Sequence, residues 1–209
     1  MERPPREENL NTATHALATV LALIGTGLLL VQAFKLQSTS IFIACLVYGV
    51  SLVGVFASST MSHWAKTDES RRRFRMLDQA FIYLMIVATY TPFSVAHLST
   101  TFWWLLLAAM WMVAIVGFVR KFFLAHRVDS VSVLGYVALG WMPALGGISI
   151  FDNVPTAAVW GIAGGGVLYT VGTLFLMNDK KVWYFHAIWH VFVMAAAAVH
   201  WWTTMTYVV

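Results

Sequence analysis

The residues of this chain best suited to bind a metal ion are histidines that stand in otherwise apolar segments. His186 and His190 lie four residues apart in the stretch "WYFHAIWHVFVMAAAAVH". On a helix this spacing places both side chains on one face, about 6 Å apart along the axis, so both imidazoles can reach one ion. His200 lies roughly 21 Å further along the helix than His186, which excludes it from the same site. For His200 we expect a hydrogen bond to a neighbouring helix instead.

The elements that position these histidines are membrane-spanning helices. Of the 209 residues, 60% are hydrophobic and 11% are charged, a composition that excludes an ordinary soluble domain. A helix needs about 20 apolar residues to cross a bilayer. We therefore predict an all-α integral membrane protein, a single domain over residues 1–209 with a short cytoplasmic N-terminal segment, 1–12. Its seven-transmembrane-helix bundle is predicted over Ala13 to Phe34, Ile41 to Met61, Leu77 to Ala96, Phe102 to Val119, Val131 to Ile150, Thr156 to Leu176 and Tyr184 to Tyr207.

The distribution of lysine and arginine predicts the orientation of the bundle. All of these residues except Lys35 precede the first span or fall in the loops after the second, fourth and sixth spans. Because cytoplasmic loops carry the excess of positive charge, we expect the N-terminus in the cytoplasm and the C-terminus outside. The run from Arg71 to Arg75 is typical of an orientation signal in contact with lipid headgroups, and we expect no nucleic-acid partner.

This topology brings further polar residues to the cytoplasmic leaflet beside His186 and His190. Ser59 and His63 end the second span, and Asp78 begins the third. Three imidazoles suit Zn²⁺ and leave its fourth tetrahedral position for water, whose pKa zinc lowers to about 7. Asp78 could hydrogen-bond that water or accept its proton, while Ser59 could orient it or contact an oxyanion. If Asp78 binds zinc directly, the coordination shell is full and the site is mainly structural.

The remaining polar or small residues favour plainer interpretations. His15 could be a further ligand or support one, but we expect it to cap the first span or to be solvated. His97 and His126 fall in predicted turns and should face water. Gly161 and Gly165 have the spacing of a close helix contact inside an apolar span.

Four segments of the chain resemble the hemolysin III family, the bacterial branch of the progestin and adipoQ receptor proteins, which is related more distantly to the alkaline ceramidases. They are "EENLNTATH" at 7–15, "SSTMSHW" at 58–64, "RMLDQAFIYLMIVATYTPF" at 75–93 and "HAIWHVFVMAAAAVH" at 186–200. The resemblance implies a seven-helix bundle in the bacterial cytoplasmic membrane. It also implies an intramembrane zinc bound by His63, His186 and His190, with Asp78 holding a water at the zinc.

These observations favour a zinc-dependent hydrolase of a membrane lipid amide or ester, linked to membrane lipid homeostasis. Its partners would be membrane lipids, with an acyl chain entering sideways from the bilayer. The alternative is a non-enzymatic, receptor-like regulator of membrane state with a structural zinc. A pore-forming hemolysin is a third reading, but the sequence has no amphipathic strand pattern that could form a barrel.

Overall fold

The computed structural model describes residues 5–123 and 133–209, and within these ranges the chain is helical with no strand. The predicted all-α class is therefore confirmed for the described residues. They form seven α-helices and one 3-10 segment, the latter over Met142–Asp152. The helices are α1 Pro5–Lys35, α2 Thr39–Trp64, α3 Asp68–His97, α4 Thr101–Phe123, α5 Val133–Trp141, α6 Thr156–Asn178 and α7 Phe185–Tyr207.

Six segments are long and apolar enough to cross a membrane, namely α1 to α4, α6, and α5 taken together with the 3-10 segment. The seventh helix, α7, has 23 residues and so extends over about 35 Å, more than the roughly 30 Å of a bilayer core. Three histidines and three threonines interrupt its apolar sequence. The architecture is that of an integral membrane helical bundle, and the crossing of α7 stays a prediction.

The ends of the helices follow from local sequence. Ser38 caps α2 by accepting a hydrogen bond from the Ile41 amide, and Thr67 caps α3 through the Ser70 amide. The helix α3 continues through Pro92 and ends at His97, shortly before the polar residues Ser99 and Thr100. A helix within a membrane protein tolerates an internal proline where neighbouring groups satisfy the freed carbonyl.

The first helix begins earlier than the apolar run indicates. Residues 1–12 were expected to precede the first span, but α1 already begins at Pro5. Proline is favoured at the first position of a helix, and acidic residues in the first turn, here Glu7 and Glu8, interact favourably with the helix dipole. The early start brings the N-terminal turns of α1 to the same end of the bundle as His63.

The fifth span is not one continuous α-helix, and in this respect the prediction for residues 131–150 is wrong. The helix α5 ends after nine residues, and the chain continues as the 3-10 segment. Pro143 lacks the amide hydrogen that would continue the α-helix. Gly147 adopts φ 54° and ψ −138°, a backbone conformation that only glycine reaches readily. The first two residues of the predicted span lie outside the described residues.

The contact between α6 and α7 is close, as the glycine spacing predicts. A Cβ atom at Gly161 would collide with Thr203, and one at Gly165 would collide with the His200 ring. His200 Nε2 lies 3.0 Å from the Ile162 carbonyl oxygen on α6, which confirms the expected interhelical hydrogen bond. These contacts fix α6 against α7, and α1 packs against both α2 and α7.

Candidate metal centre

Three histidines come together where the end of α2 meets the start of α7. His63 lies in the last turn of α2, and His186 and His190 lie in the first two turns of α7. One nitrogen of each imidazole lies within 4.8 Å of the nitrogens of the other two. His63 and His190 are buried and His186 is half-buried. Such a set of imidazoles could hold one metal ion, and imidazole is a ligand typical of zinc.

Carboxylates lie behind two of these imidazoles. Glu8 Oε2, on α1, is 2.7 Å from His63 Nδ1. Asp179 Oδ2, at the end of α6, is 2.7 Å from His186 Nδ1. Both hydrogen bonds use Nδ1 of the ring, so the two contacts are of the same kind. Neither carboxylate was identified from the sequence, because each lies on a different helix from the histidine that it contacts.

Asp78 and Ser59 lie beside this cluster and interact with each other. The Ser59 hydroxyl is hydrogen-bonded to the Asp78 carboxylate, and the Arg75 guanidinium acts on the same carboxylate. Both Asp78 and Ser59 line the cavity that the three histidines also line. Among the described residues, the group of ligand atoms within 4.8 Å of one another includes the histidines but not Asp78. This arrangement leaves the fourth position of a tetrahedral ion to a ligand from outside the group.

A fourth imidazole, that of His15, adjoins the cluster from α1. The His15 ring centroid is 3.8 Å from that of His190 and 6.4 Å from that of His63. The side chain is only 4% exposed, so the expectation of a cap or a solvated residue is wrong. The early start of α1 explains the difference, because it places His15 in the third turn. The signal that could have found it is the spacing of Glu7, Asn11 and His15, which share one buried helix face.

Of the two histidines predicted in turns, the structure describes only His97, which is not part of the cluster. His97 ends α3, is half-buried, and lies with Nε2 2.8 Å from the Tyr207 carbonyl oxygen. The expectation that it faces water is therefore wrong, because the ends of α3 and α7 meet at this point. His126 lies outside the described residues.

A cavity of about 470 Å³ leads from the histidine cluster into the bundle. Ligand pockets commonly have volumes of about 300 to 1,000 Å³ and mainly apolar walls with a few polar groups. On α7 the lining residues run from His186 to His200, a distance of about 21 Å along the helix. Side chains of α3, α5 and α6 form the opposite walls, among them Tyr90, Trp141 and Tyr169. The cavity thus joins a polar end at the cluster to a longer, mostly apolar part.

Comparison with known proteins agrees with this architecture. The family model described as "Haemolysin-III related" matches residues 5–201. The chain is 33% identical to "Hemolysin-3" of Bacillus cereus, over 97% of this chain and 92% of that protein. It is 30% identical to "Hemolysin-3 homolog" of Bacillus subtilis (strain 168), over 98% and 95%. It is also 30% identical to the human "Monocyte to macrophage differentiation factor", over 96% and 84%. The chain belongs to the haemolysin-III related family of membrane proteins.

Proposed function

We propose that this protein is a zinc-dependent hydrolase of a membrane lipid, which cleaves an amide or ester bond. The observation that carries the proposal is the set of three imidazoles, His63, His186 and His190, open to a cavity that Asp78 and Ser59 also line. Zinc held there would polarise a carbonyl group and lower the pKa of a water molecule. Because Asp78 is outside the group of ligand atoms, it is available for proton transfer.

Asp78 is the proposed general base of the reaction. Its carboxylate accepts the proton of the attacking water and returns it to the leaving amine or alcohol. The Ser59 hydroxyl, hydrogen-bonded to the same carboxylate, fixes the carboxylate in position. Ser59 lies on α2 one turn before His63, so the residue that positions the base and one of the metal ligands share a helix.

The cavity supports a lipid as the substrate. Its length of about 21 Å along α7 exceeds the roughly 15 Å that one leaflet contributes to a bilayer core of about 30 Å. The lining residues thus extend far enough along α7 for the acyl chain of a lipid from one leaflet, whose carbonyl end would lie at the histidines. The walls are largely apolar, which suits a chain that leaves the bilayer without entering water.

The orientation in the membrane belongs to the proposal. Seven crossings with the N-terminus in the cytoplasm and the C-terminus outside place the cluster in the cytoplasmic leaflet of a bacterial inner membrane. The support is the sequence distribution of Lys and Arg. The substrate would then be a lipid of the inner leaflet.

The substitution Asp78→Asn tests the hydrolase. It should leave zinc bound and lower the rate of lipid hydrolysis by about 10²- to 10⁴-fold, the usual contribution of a general base. The measurement is a lipid profile of membranes with wild-type protein, with Asp78→Asn and without the protein, together with the zinc content of each purified form. Asp68→Asn, an exposed aspartate on α3, is the matched control. A fall in zinc content in Asp78→Asn would identify Asp78 as a ligand and favour a structural centre.

A non-enzymatic regulator with a structural zinc is the second candidate. The observation in its favour is that the cluster joins α2 to α7, with Glu8 and Asp179 extending the contact to α1 and α6. A metal at this point would stabilise the arrangement of four helices. In that case lipid profiles would be identical with wild-type protein and Asp78→Asn, whereas removal of the metal would still destabilise the bundle.

A further inference from the structure

We propose that Glu8 and Asp179 are positioning residues of the metal centre, each fixing the proton and the orientation of one ligand histidine and together balancing the charge of the ion. The inference rests on the metal centre of the proposed function and does not require lipid hydrolysis. It adds α1 and α6 to the helices that build the site.

The two carboxylate contacts are equivalent in geometry. Each joins a carboxylate oxygen to Nδ1 over 2.7 Å, the distance of a charge-assisted hydrogen bond. The His63 and Glu8 side chains are 4% and 25% exposed, and those of His186 and Asp179 are 14% and 9% exposed. Limited access of water makes these contacts stronger than surface pairs. Two elements that are far apart in sequence thus make the same contact to two histidines of one cluster.

The chemistry of imidazole determines what such a contact does. A neutral imidazole carries its single proton on one nitrogen, and an ionised carboxylate can only accept. The proton of His63 and of His186 is therefore held on Nδ1, and in that tautomer Nε2 is the nitrogen that carries the lone pair a metal binds. Histidines that bind metals usually donate their other N–H to a carboxylate or carbonyl, which orients the ring and raises its basicity.

Charge gives a second, independent reason for the two carboxylates. Three neutral imidazoles bring no charge to the centre, and a divalent cation is costly to bury in a membrane protein unless it is compensated. Glu8 and Asp179 supply two negative charges, one hydrogen bond away from the ligand rings. Their two negative charges offset the two positive charges of a dication, which lowers the cost of holding it between the helices.

Each carboxylate is held in place by its helix. Glu8 lies in the first turn of α1, where the helix dipole favours a negative charge. Asp179 is the C-cap of α6, seven residues before His186. The short link from α6 to α7 turns at Tyr184, whose backbone is left-handed with φ 64°. This turn brings the start of α7 back towards Asp179. Substitution at either position should therefore act on the metal through one ligand.

The test is the affinity of the purified full-length protein for Zn²⁺ and Co²⁺ in detergent, measured by competition with a chelator. Glu8→Ala and Asp179→Ala should each weaken binding by about 10- to 100-fold, the usual effect of losing such a partner. Glu8→Gln and Asp179→Asn keep an acceptor oxygen but lose the charge, so their losses should be smaller. Glu8→Gln and Asp179→Asn also keep the size of the side chain, so the same measurement can be made on them if the alanine variants do not fold.

The matched controls are Glu69→Ala and Asp68→Ala, which remove exposed carboxylates from α3. They should bind both metals as the wild type does. The visible spectrum of bound Co²⁺ supplies a reading that a general loss of stability would not change. At saturating Co²⁺ the absorption bands should shift in Glu8→Ala and Asp179→Ala but not in the two controls. Only the first two variants remove the hydrogen bond that fixes the orientation of a ligand histidine.

Wild-type affinity and an unchanged Co²⁺ spectrum in the Glu8 and Asp179 variants would overturn the inference and leave the metal centre standing. A wild-type protein that binds neither metal would overturn both the inference and the metal centre. Bound metal with weakened variants but no lipid hydrolysis would overturn the hydrolase alone, and it would support the role of the two carboxylates.

Discussion

The imidazole of His15 is the buried polar group of this site whose role is least evident from its contacts. Its ring packs edge-on against the rings of Phe56 and His190, and neither nitrogen has a hydrogen-bond partner among the described residues. A buried polar group without a partner costs about 1 to 3 kcal/mol. The ring therefore either serves only to pack against His190 or binds the metal ion as a further ligand. Substitution of His15 distinguishes these two roles.

We expect His15→Leu to retain zinc and to leave the unfolding temperature unchanged or slightly raised. The reason is that leucine fills a similar volume and removes two unsatisfied nitrogens. Zinc content and thermal unfolding in detergent are the measurements. The control is His200→Leu, another buried histidine but one bonded to the Ile162 carbonyl, where a loss of about 1 to 3 kcal/mol is expected. Loss of zinc in His15→Leu would make His15 a ligand.

At the level of single residues, the sequence was sufficient where a spacing within one helix carried the information. The pair His186 and His190 could be placed together from the helical rise alone, and His63 and Asp78 from their depth in the membrane. His15 was misjudged because the apolar run, from which the first helix was delimited, begins eight residues after Pro5. The contacts of Glu8 and Asp179 depend on how different helices pack, which no spacing in the sequence indicates.

At the level of elements, the contact between α6 and α7 decides where Asp179 lies relative to His186. Gly165 is a point of close contact, since a Cβ atom there would collide with the His200 ring. That ring cannot withdraw without losing its hydrogen bond to Ile162. A larger residue at position 165 would therefore separate the two helices.

We predict that Gly165→Ala destabilises the protein by about 1 to 3 kcal/mol, the usual cost of overpacking. The neighbouring substitution Gly164→Ala is a precise control, because a Cβ atom at Gly164 meets nothing within 4 Å. Gly164→Ala should stabilise the helix by up to about 1 kcal/mol. Thermal unfolding of both variants is the measurement, and equal effects would show that the close contact is not formed.

The fifth span shows what hydropathy alone leaves out. Counting apolar residues located the segment correctly, because both α5 and the 3-10 segment are apolar. The count takes no account of backbone geometry, and so it missed the break that Pro143 and Gly147 introduce. The other predicted spans contain no comparable pair of a proline and a glycine with positive φ. Their ends agree with the helices to within four residues, except that α1 begins eight residues and α3 nine residues before the predicted span.

At the level of the whole molecule, the metal would link helices from both ends of the chain. His63 belongs to α2 and the other two ligands to α7, while α1 and α6 contribute the carboxylates. A ligand that binds only the folded state stabilises it by about 2.7 kcal/mol at a concentration of 100 times its Kd. Zinc should therefore contribute to the stability of the entire bundle.

We expect a chelator to lower the unfolding temperature of the wild-type protein and to have no effect on His63→Ala. The variant has lost one of three ligands, so chelation removes nothing from it. His97→Ala, which leaves the cluster intact, should respond to the chelator as the wild type does. Thermal unfolding with and without chelator is the measurement. An equal response of His63→Ala and wild type would show that the metal binds elsewhere.

The orientation of the bundle determines which leaflet the site faces. Lys66 lies in the link between α2 and α3 near His63, and Ser99 lies in the link between α3 and α4 at the opposite end of α3. Both are exposed, so a cysteine at either position is open to a reagent on its own side of the membrane. Cys45 is buried in α2 and is replaced by alanine in both variants to remove background.

A membrane-impermeant thiol reagent should label Ser99→Cys on intact cells and Lys66→Cys only after the membrane is opened. This follows from the basic residues near Lys66, which favour the cytoplasmic side, and from the lack of Lys and Arg between α3 and α4. The reverse pattern would place the histidine cluster in the outer leaflet. The substrate would then be a lipid of that leaflet, and a product released at the cluster would leave the cell instead of entering it.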